Sequence, residues 1–151
     1  MREIAERLLS RTKKSWFKSK PLFENWRTVT ETDIALAEQK LGTALPTDLR
    51  AWLLLVGYGD INEGLSFRFE WLKLVESGEL RGAVMFAQDA LGNFYAWTTP
   101  GERILFFSRS ESKYAVLAHN FRDFMKELER RDYDVLAWVE ALACQPYEWD
   151  A

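Results

Sequence analysis

Residues 30–49 read T-E-T-D-I-A-L-A-E-Q-K-L-G-T-A-L-P-T-D-L, and this stretch decides the fold. Thr30 and Asp33 have the spacing of a capping box, in which a hydroxyl and a carboxylate satisfy the free N–H groups of a first helical turn. Apolar residues then recur at helical spacing as far as Gly42, which supplies the left-handed residue that ends a helix. Pro46 favours a second helix start, because its missing N–H costs nothing there. The stretch therefore predicts two consecutive helices, each with an apolar stripe.

The chain on either side of this stretch combines helical and β patterns. A short helix is predicted over residues 2–10, a helix capped by Asn120 near the C-terminus, and a last helix opened by Asp132 or Asp134. Residues 57–64 are predicted to be a loop. The segments with strand character are residues 65–69, 83–87, 94–98, 103–108 and 113–118. Together these elements predict an α+β domain whose antiparallel sheet has four to six strands, with helices packed mainly on one face.

The order of these motifs resembles the SUKH superfamily, a group named partly after a fungal cell-wall-assembly regulator. Residues 30–53 are similar to its opening signature, and the similarity extends to about residue 128. Many members carry an Asn-Gly-Gly-like turn after the second helix, whereas this chain has Val56-Gly57-Tyr58-Gly59-Asp60. Three later segments are similar to the family's hairpin, the strand after it and the closing helix: residues 89–97, 104–107 and 120–124.

The resemblance implies both a fold and a role. The fold is SUKH-like, and the role is protein binding without catalysis. Bacterial members are regarded as immunity proteins that bind and block toxins, many of them nucleases. For this chain the resemblance implies an immunity protein that neutralises a nuclease-type toxin by occlusion. Two alternatives stay open: a regulatory module that binds an endogenous partner, and a small-ligand-binding domain with a pocket between the sheet and the helices.

Charge is distributed unevenly along the 151 residues, whose net charge is −3. Residues 1–28 hold eight Lys or Arg against three Glu, a net charge of +5, whereas residues 29–151 hold twelve against twenty, a net charge of −8. We expect a basic N-terminal arm or helix that is part of the same unit as a single domain over residues 29–151. Trp16 and Phe17, inside a basic loop, suit either a nucleic-acid or membrane contact or docking on the domain, and their short context favours docking.

Acidic and aromatic residues are the best candidates for a partner-binding surface. An acidic body repels nucleic acid and attracts basic proteins, so the expected partner is a basic toxin or another protein. Charge would steer the encounter, and buried aromatic rings would supply the affinity. Both a monomer and a homodimer are compatible with the composition, and no membrane contact is expected. The candidate partner-binding residues are Tyr58, Asp60, Glu63, Glu70, Trp71, Asp89 and Trp97.

No catalytic, metal-binding or cofactor-binding motif is present in the sequence. One Cys, Cys144, and one His, His119, do not supply the four ligands of a structural zinc site. The loop at residues 89–93 has a passing similarity to a calcium loop, but a hairpin turn explains it better. The first residues carry acids where a signal peptide has an apolar region, and no apolar run reaches the roughly 18 residues of a membrane span. We therefore expect a cytoplasmic protein without enzymatic activity, metal or cofactor.

Overall fold

The computed structural model describes residues 1–14, 19–98, 103–108 and 110–147. Trp16 and Phe17 lie outside these ranges. The helices within the ranges are α1 (Arg2–Ser10), α2 (Glu31–Leu41), α3 (Thr47–Val56), α4 (Phe121–Arg130) and α5 (Val135–Glu140). The strands are β1 (Thr12–Lys14), β2 (Ser19–Pro21), β3 (Phe23–Arg27), β4 (Tyr58–Ile61), β5 (Leu65–Phe67), β6 (Lys73–Leu74), β7 (Val84–Asp89), β8 (Phe94–Trp97), β9 (Ile104–Phe107), β10 (Lys113–Ala118) and β11 (Gln145–Pro146). A single 3₁₀ turn, Phe69–Trp71, joins β5 to β6.

One antiparallel sheet of nine strands organises the described part of the chain. Its order is β11-β10-β9-β8-β7-β5-β4-β3, with β6 paired to β7 beside β5, while β1 and β2 form a separate two-stranded sheet. The α+β class and the antiparallel sheet are confirmed, but the prediction of four to six strands is wrong. Of the additional strands, β6 and β11 have two residues each, β4 lies in the predicted loop, and β3 comes from the segment that is expected to be a basic arm.

β4 replaces the loop predicted at residues 57–64, and two glycines explain why. Gly57 ends α3 with a φ of +84°, and a Cβ at Gly59 would lie 2.1 Å from the carbonyl oxygen of Glu24 on β3. The backbones of β3 and β4 are therefore close enough that no side chain fits between them. The side chain of Asn25 on β3 also donates a hydrogen bond of 2.6 Å to the carbonyl of Val56 at the end of α3. These glycines specify close strand pairing, which a loop prediction misses.

The helix boundaries follow the capping signals of the sequence. At the start of α2, Thr30 and Asp33 form the predicted capping box, and Gly42 ends the helix with a φ of +70°. Asn120 caps α4, and the side chain of Asp134 caps α5. Within the described ranges, no helix combines the length and the apolar character needed to cross a bilayer.

The main core lies between the helices and one face of the sheet. Along β8, Tyr95 and Trp97 belong to this core, whereas Ala96 belongs to a smaller apolar cluster on the opposite face. This alternation is expected when successive side chains of a strand point to opposite faces. The smaller cluster also contains Val75 and Ala83, so the segment between β6 and β7 covers that face over β8 and β9. The same face is partly open over β3, β4 and β5, where half-buried and exposed polar residues lie.

Candidate partner-binding surface

An arginine stacked between two tryptophans is the central feature of this surface. Arg68 directly follows β5, and its guanidinium carbon lies 3.5 Å from the ring centroid of Trp26 on β3. The same carbon lies 4.8 Å from the ring centroid of Trp71 in the 3₁₀ turn. Each such contact contributes about 0.5–1 kcal/mol at an exposed site. Because Trp26 is 42% exposed, the stack presents a flat aromatic surface to solvent, and the contacts with Arg68 hold that surface in place. Trp and Arg are the side chains that most often dominate the binding energy of protein interfaces.

A pocket of about 190 Å³ opens beside the stack. Two residues of its lining, Tyr58 and Arg68, each have a polar atom that is buried from solvent and has no hydrogen-bond partner in the described part of the chain, the Tyr58 hydroxyl and the Arg68 Nε atom. Burial raises the pKa of Tyr58 to about 12. The pocket is lined by Trp26, Arg27, Tyr58, Arg68, Phe69 and Glu70.

Helix α2 holds the outer wall of this pocket in place. Arg27 donates to the Asp33 carboxylate at 2.7 Å, and hydrogen bonds from Thr30 hold the pKa of that carboxyl below its usual range. Lys40 donates to the Phe69 carbonyl at 2.9 Å, and its Nζ lies 4.5 Å from the centroid of the Phe69 ring. The residues that cap and end α2 thus also fix β3 and the 3₁₀ turn relative to each other.

Acidic side chains continue the surface along the sheet. Glu24 on β3 is the register partner of Asp60 on β4, and Asp60 is the register partner of Ser66 on β5, whose hydroxyl donates to its carboxylate. Glu24, Asp60 and Glu70 form no ion pair with the described residues, although Arg68 adds a positive charge at the centre. A second cavity of about 270 Å³ lies next to this row. It is lined by Lys13, Lys20, Pro21, Leu22, Glu24, Asp60, Asn62 and Glu63.

Cations of the basic N-terminal segment are bound to acids of the rest of the chain. Arg7 on α1 makes two hydrogen bonds of 2.8 and 2.9 Å to the Glu129 carboxylate on α4, which lower the pKa of Glu129. Three further pairs link residues 1–28 to later acids: Arg11–Asp132 at 3.4 Å, Lys13–Glu63 at 3.4 Å and Arg27–Asp33 at 2.7 Å. Ile4 and Leu8 of α1 are buried in the main core. Part of the positive charge is therefore compensated inside the same molecule.

Five of the seven candidate residues lie at this end of the sheet. Asp60 is half-buried, Trp71 is half-buried against Arg68, and Glu63 and Glu70 are exposed. Tyr58 is 4% exposed, so its ring is packed inside and only its position in the pocket wall links it to the surface.

The other two candidate residues, Asp89 and Trp97, are internal. Asp89 is 7% exposed, and its carboxylate accepts hydrogen bonds from the backbone N–H groups of Leu91 and Asn93, from the Asn93 side chain and from the Tyr95 hydroxyl. These bonds build the hairpin between β7 and β8, as predicted for this loop. Trp97 is 1% exposed, because its position on β8 points to the helix side of the sheet. Neither side chain contributes to the surface around the stack.

The sequence analysis missed the residues at the centre of the surface. Trp26 was placed in the basic arm, and Arg68 and Phe69 were read as part of a strand. Trp26 is one of seven tryptophans in the sequence, and no local sequence pattern links it to Arg68. In the part of the chain that the structure describes, no group of three or more His, Cys, Asp or Glu side chains could hold a metal ion.

The family of the chain follows from a comparison with sequence profiles. The profile of the SMI1/KNR4 family (SUKH-1) matches residues 28–127, which is well over half of the chain. The chain belongs to the SMI1/KNR4 family. Members of this family commonly serve as toxin-immunity or regulatory domains and are generally non-catalytic. The matched region includes α2, α3 and the pocket residues Tyr58 and Arg68, while Trp26 lies two residues before it. Searches of curated proteins and of solved structures found no match.

Proposed function

We propose that this SMI1/KNR4 protein is a cytoplasmic, non-catalytic immunity protein that neutralises a basic, nuclease-type toxin by occlusion. The observation that carries the proposal is the Trp26–Arg68–Trp71 stack, in which Trp26 is exposed, beside a pocket of about 190 Å³. Protein interfaces concentrate their binding energy in a few aromatic side chains that are held in place, and binding sites are commonly concave. The family supports the class of function, since its members are commonly immunity or regulatory domains.

The charges around the stack support a basic partner. Glu24, Asp60 and Glu70 form no ion pair with the described residues, so their charges are available to a partner. Nucleases are commonly basic, because they bind phosphates, and unpaired acids near the stack would steer such a protein toward it. The acids would then set the rate of association, and the stack would set the lifetime of the complex.

The test is a comparison of captured proteins between the wild type and one double variant. Tagged wild-type protein and the Trp26→Ala/Arg68→Ala variant are incubated with native cell lysate at low and at raised salt. We expect the wild type to capture a basic protein that elutes as salt rises, and the variant to lose it. Truncation of two central interface residues commonly costs more than 2 kcal/mol, or about thirtyfold in affinity. The matched control is Leu91→Ala, an exposed apolar residue at the β7–β8 hairpin, away from the stack.

A second step identifies what the captured protein does. Its gene is expressed in a sensitive host with and without this chain. Growth arrest that the wild type relieves and the double variant does not relieve supports the immunity function. A captured protein that leaves growth unchanged contradicts it, and would instead favour a regulatory module with an endogenous partner. Capture that the double variant retains would show that the stack is not the binding surface.

A further inference from the structure

The strand pair β1 and β2, called the ribbon below, carries two lysines side by side. The ribbon is a separate two-stranded antiparallel sheet, and in its register Lys13 lies directly opposite Lys20. Residues that are directly opposite each other in a strand pair have their side chains on the same face, and like charges in these positions destabilise the pair. Anions next to that face would relieve the repulsion.

Acids of the candidate surface supply these anions. The two lysines line the cavity of about 270 Å³ together with acids of β3, β4 and the turn after β4, namely Glu24, Asp60 and Glu63. The Nζ atom of Lys13 lies 3.4 Å from the Glu63 carboxylate. Glu24 and Asp60 form no ion pair with the described residues. The ribbon therefore places cations of this chain at the acids that we assign to a basic partner.

The contact between the ribbon and these acids is weak enough to be displaced. The side chains of Lys13 and Glu63 are 39% and 62% exposed, and exposed ion pairs stabilise a protein little because water and salt screen them. Within the described ranges, the ribbon pairs with no strand of the main sheet, and an isolated pair of short strands has little stability of its own. A cation from outside can therefore replace Lys13 without disturbing the core.

We propose that Lys13 and Lys20 form an autoinhibitory contact, in which they occupy the acidic cavity until a basic partner displaces them. The proposal rests on the basic partner proposed above, and it assigns the regulation of that surface to the ribbon. A protein with one suitable cation only exchanges one ion pair for another at Glu63. A partner with several cations also neutralises Glu24 and Asp60, so it gains binding energy from the exchange. The contact thus selects strongly basic partners.

Tetralysine tests the contact without the toxin. It is titrated by calorimetry at low salt into the full-length wild type, Lys13→Ala/Lys20→Ala and Arg2→Ala/Lys126→Ala. The last variant is the control, since it removes the same charge from exposed residues that do not line the cavity. We expect Lys13→Ala/Lys20→Ala to bind tetralysine roughly threefold more tightly than the control, with a smaller difference at raised salt. Equal affinities of the two variants, or no measurable binding to any of the three proteins, would overturn the proposal.

A double-mutant cycle separates local competition from the effect of total charge. Lys13→Ala is made both in the wild type and in Glu63→Gln, which lacks the charge that Lys13 neutralises. We expect Lys13→Ala to strengthen tetralysine binding more in the presence of Glu63, because only then does it release a paired acid. The same gain in both backgrounds would refute the autoinhibitory contact. These outcomes do not depend on the capture of a toxin, whose failure contradicts the proposed function instead.

Discussion

Gly59→Ala is the sharpest test of how β3 is joined to the sheet. β3 supplies Trp26 and Glu24 to the candidate surface, and it lies at the edge next to β4. A Cβ at Gly59 would lie 2.1 Å from the Glu24 carbonyl oxygen and 2.9 Å from Cζ of Phe23. The first contact is with backbone, which has no rotamer to move out of the way. The alanine therefore forces β3 away from β4.

The size of the effect follows from this geometry. Ordinary van der Waals contact of a Cβ begins at 3.4 Å, so β3 must move by more than 1 Å. Overpacking of this kind commonly costs about 1–3 kcal/mol. The movement also exposes part of the buried Phe23 side chain, whose complete burial is worth about 1.5–3 kcal/mol. We expect a loss of about 3 kcal/mol in the free energy of unfolding, or roughly 6–12 °C in Tm for a chain of this size.

Urea and thermal unfolding of Gly59→Ala and of Gly42→Ala provide the measurement and its control. A Cβ at Gly42 meets nothing within 4 Å, so this variant carries only the strain of its φ of +70° at the end of α2, roughly 1–2 kcal/mol. Gly59→Ala should be the more destabilised of the two and should also lose partner capture, because Trp26 moves with β3. Equal stability losses in the two variants would show that β3 does not pack against Gly59 as described.

Two other changes test a buried carboxylate and a carboxylate paired at the surface. Asp89→Ala removes four hydrogen bonds, those that the Asp89 carboxylate accepts from the Tyr95 hydroxyl, the Leu91 and Asn93 backbone N–H groups and the Asn93 side chain, so we expect a loss of about 3 kcal/mol in the free energy of unfolding in urea. A loss below about 1 kcal/mol would mean that this carboxylate does not hold the hairpin together. Hydrogen bonds from Arg130 and then Arg131 lower the pKa of Glu127 from its usual 4.5 to about 2, so its contribution to stability is complete above pH 4.5 and is lost as the pH falls toward 2. Glu127→Gln should therefore flatten the pH dependence of unfolding between pH 4.5 and 2, and curves that run parallel to the wild type would contradict the depressed pKa.

The helices could be predicted because their signals are local. Thr30, Asp33 and Gly42 act within the turn where they stand, and a capping box needs no distant contact to be recognised. The edge strands could not be predicted in this way. β6 and β11 have two residues each, too few to show a period, and β3 is defined by its pairing with β4 across two intervening helices. Gly57 and Gly59 carry the signal for that pairing, but in sequence they are indistinguishable from turn glycines.

The acidic residues of the candidate site could be predicted from the sequence, whereas the contact between Trp26 and Arg68 at its centre could not. Asp60 and Glu63 border a hairpin turn, where side chains reach the surface, whereas Trp97 was assigned without knowing which face of β8 the helices cover. The alternation of apolar and polar residues along a strand identifies its two faces, but it does not show which face the helices cover. The partnership of Trp26 with Arg68 depends on the lateral neighbours β3, β4 and β5, which only the completed sheet brings together.

The pairing of charges within the molecule reduces the conflict between a basic N-terminal segment and a basic partner. Free cations on residues 1–28 would repel such a partner and would lie beside the site, because β3 belongs to the same segment. In the structure Arg7, Arg11, Lys13 and Arg27 are instead bound to acids of the later chain. Each of these pairs also neutralises one acid of the later chain. Three acids that form no ion pair with the described residues, Glu24, Asp60 and Glu70, lie near the exposed aromatic ring of Trp26, so electrostatic steering and the main binding energy would act at the same place.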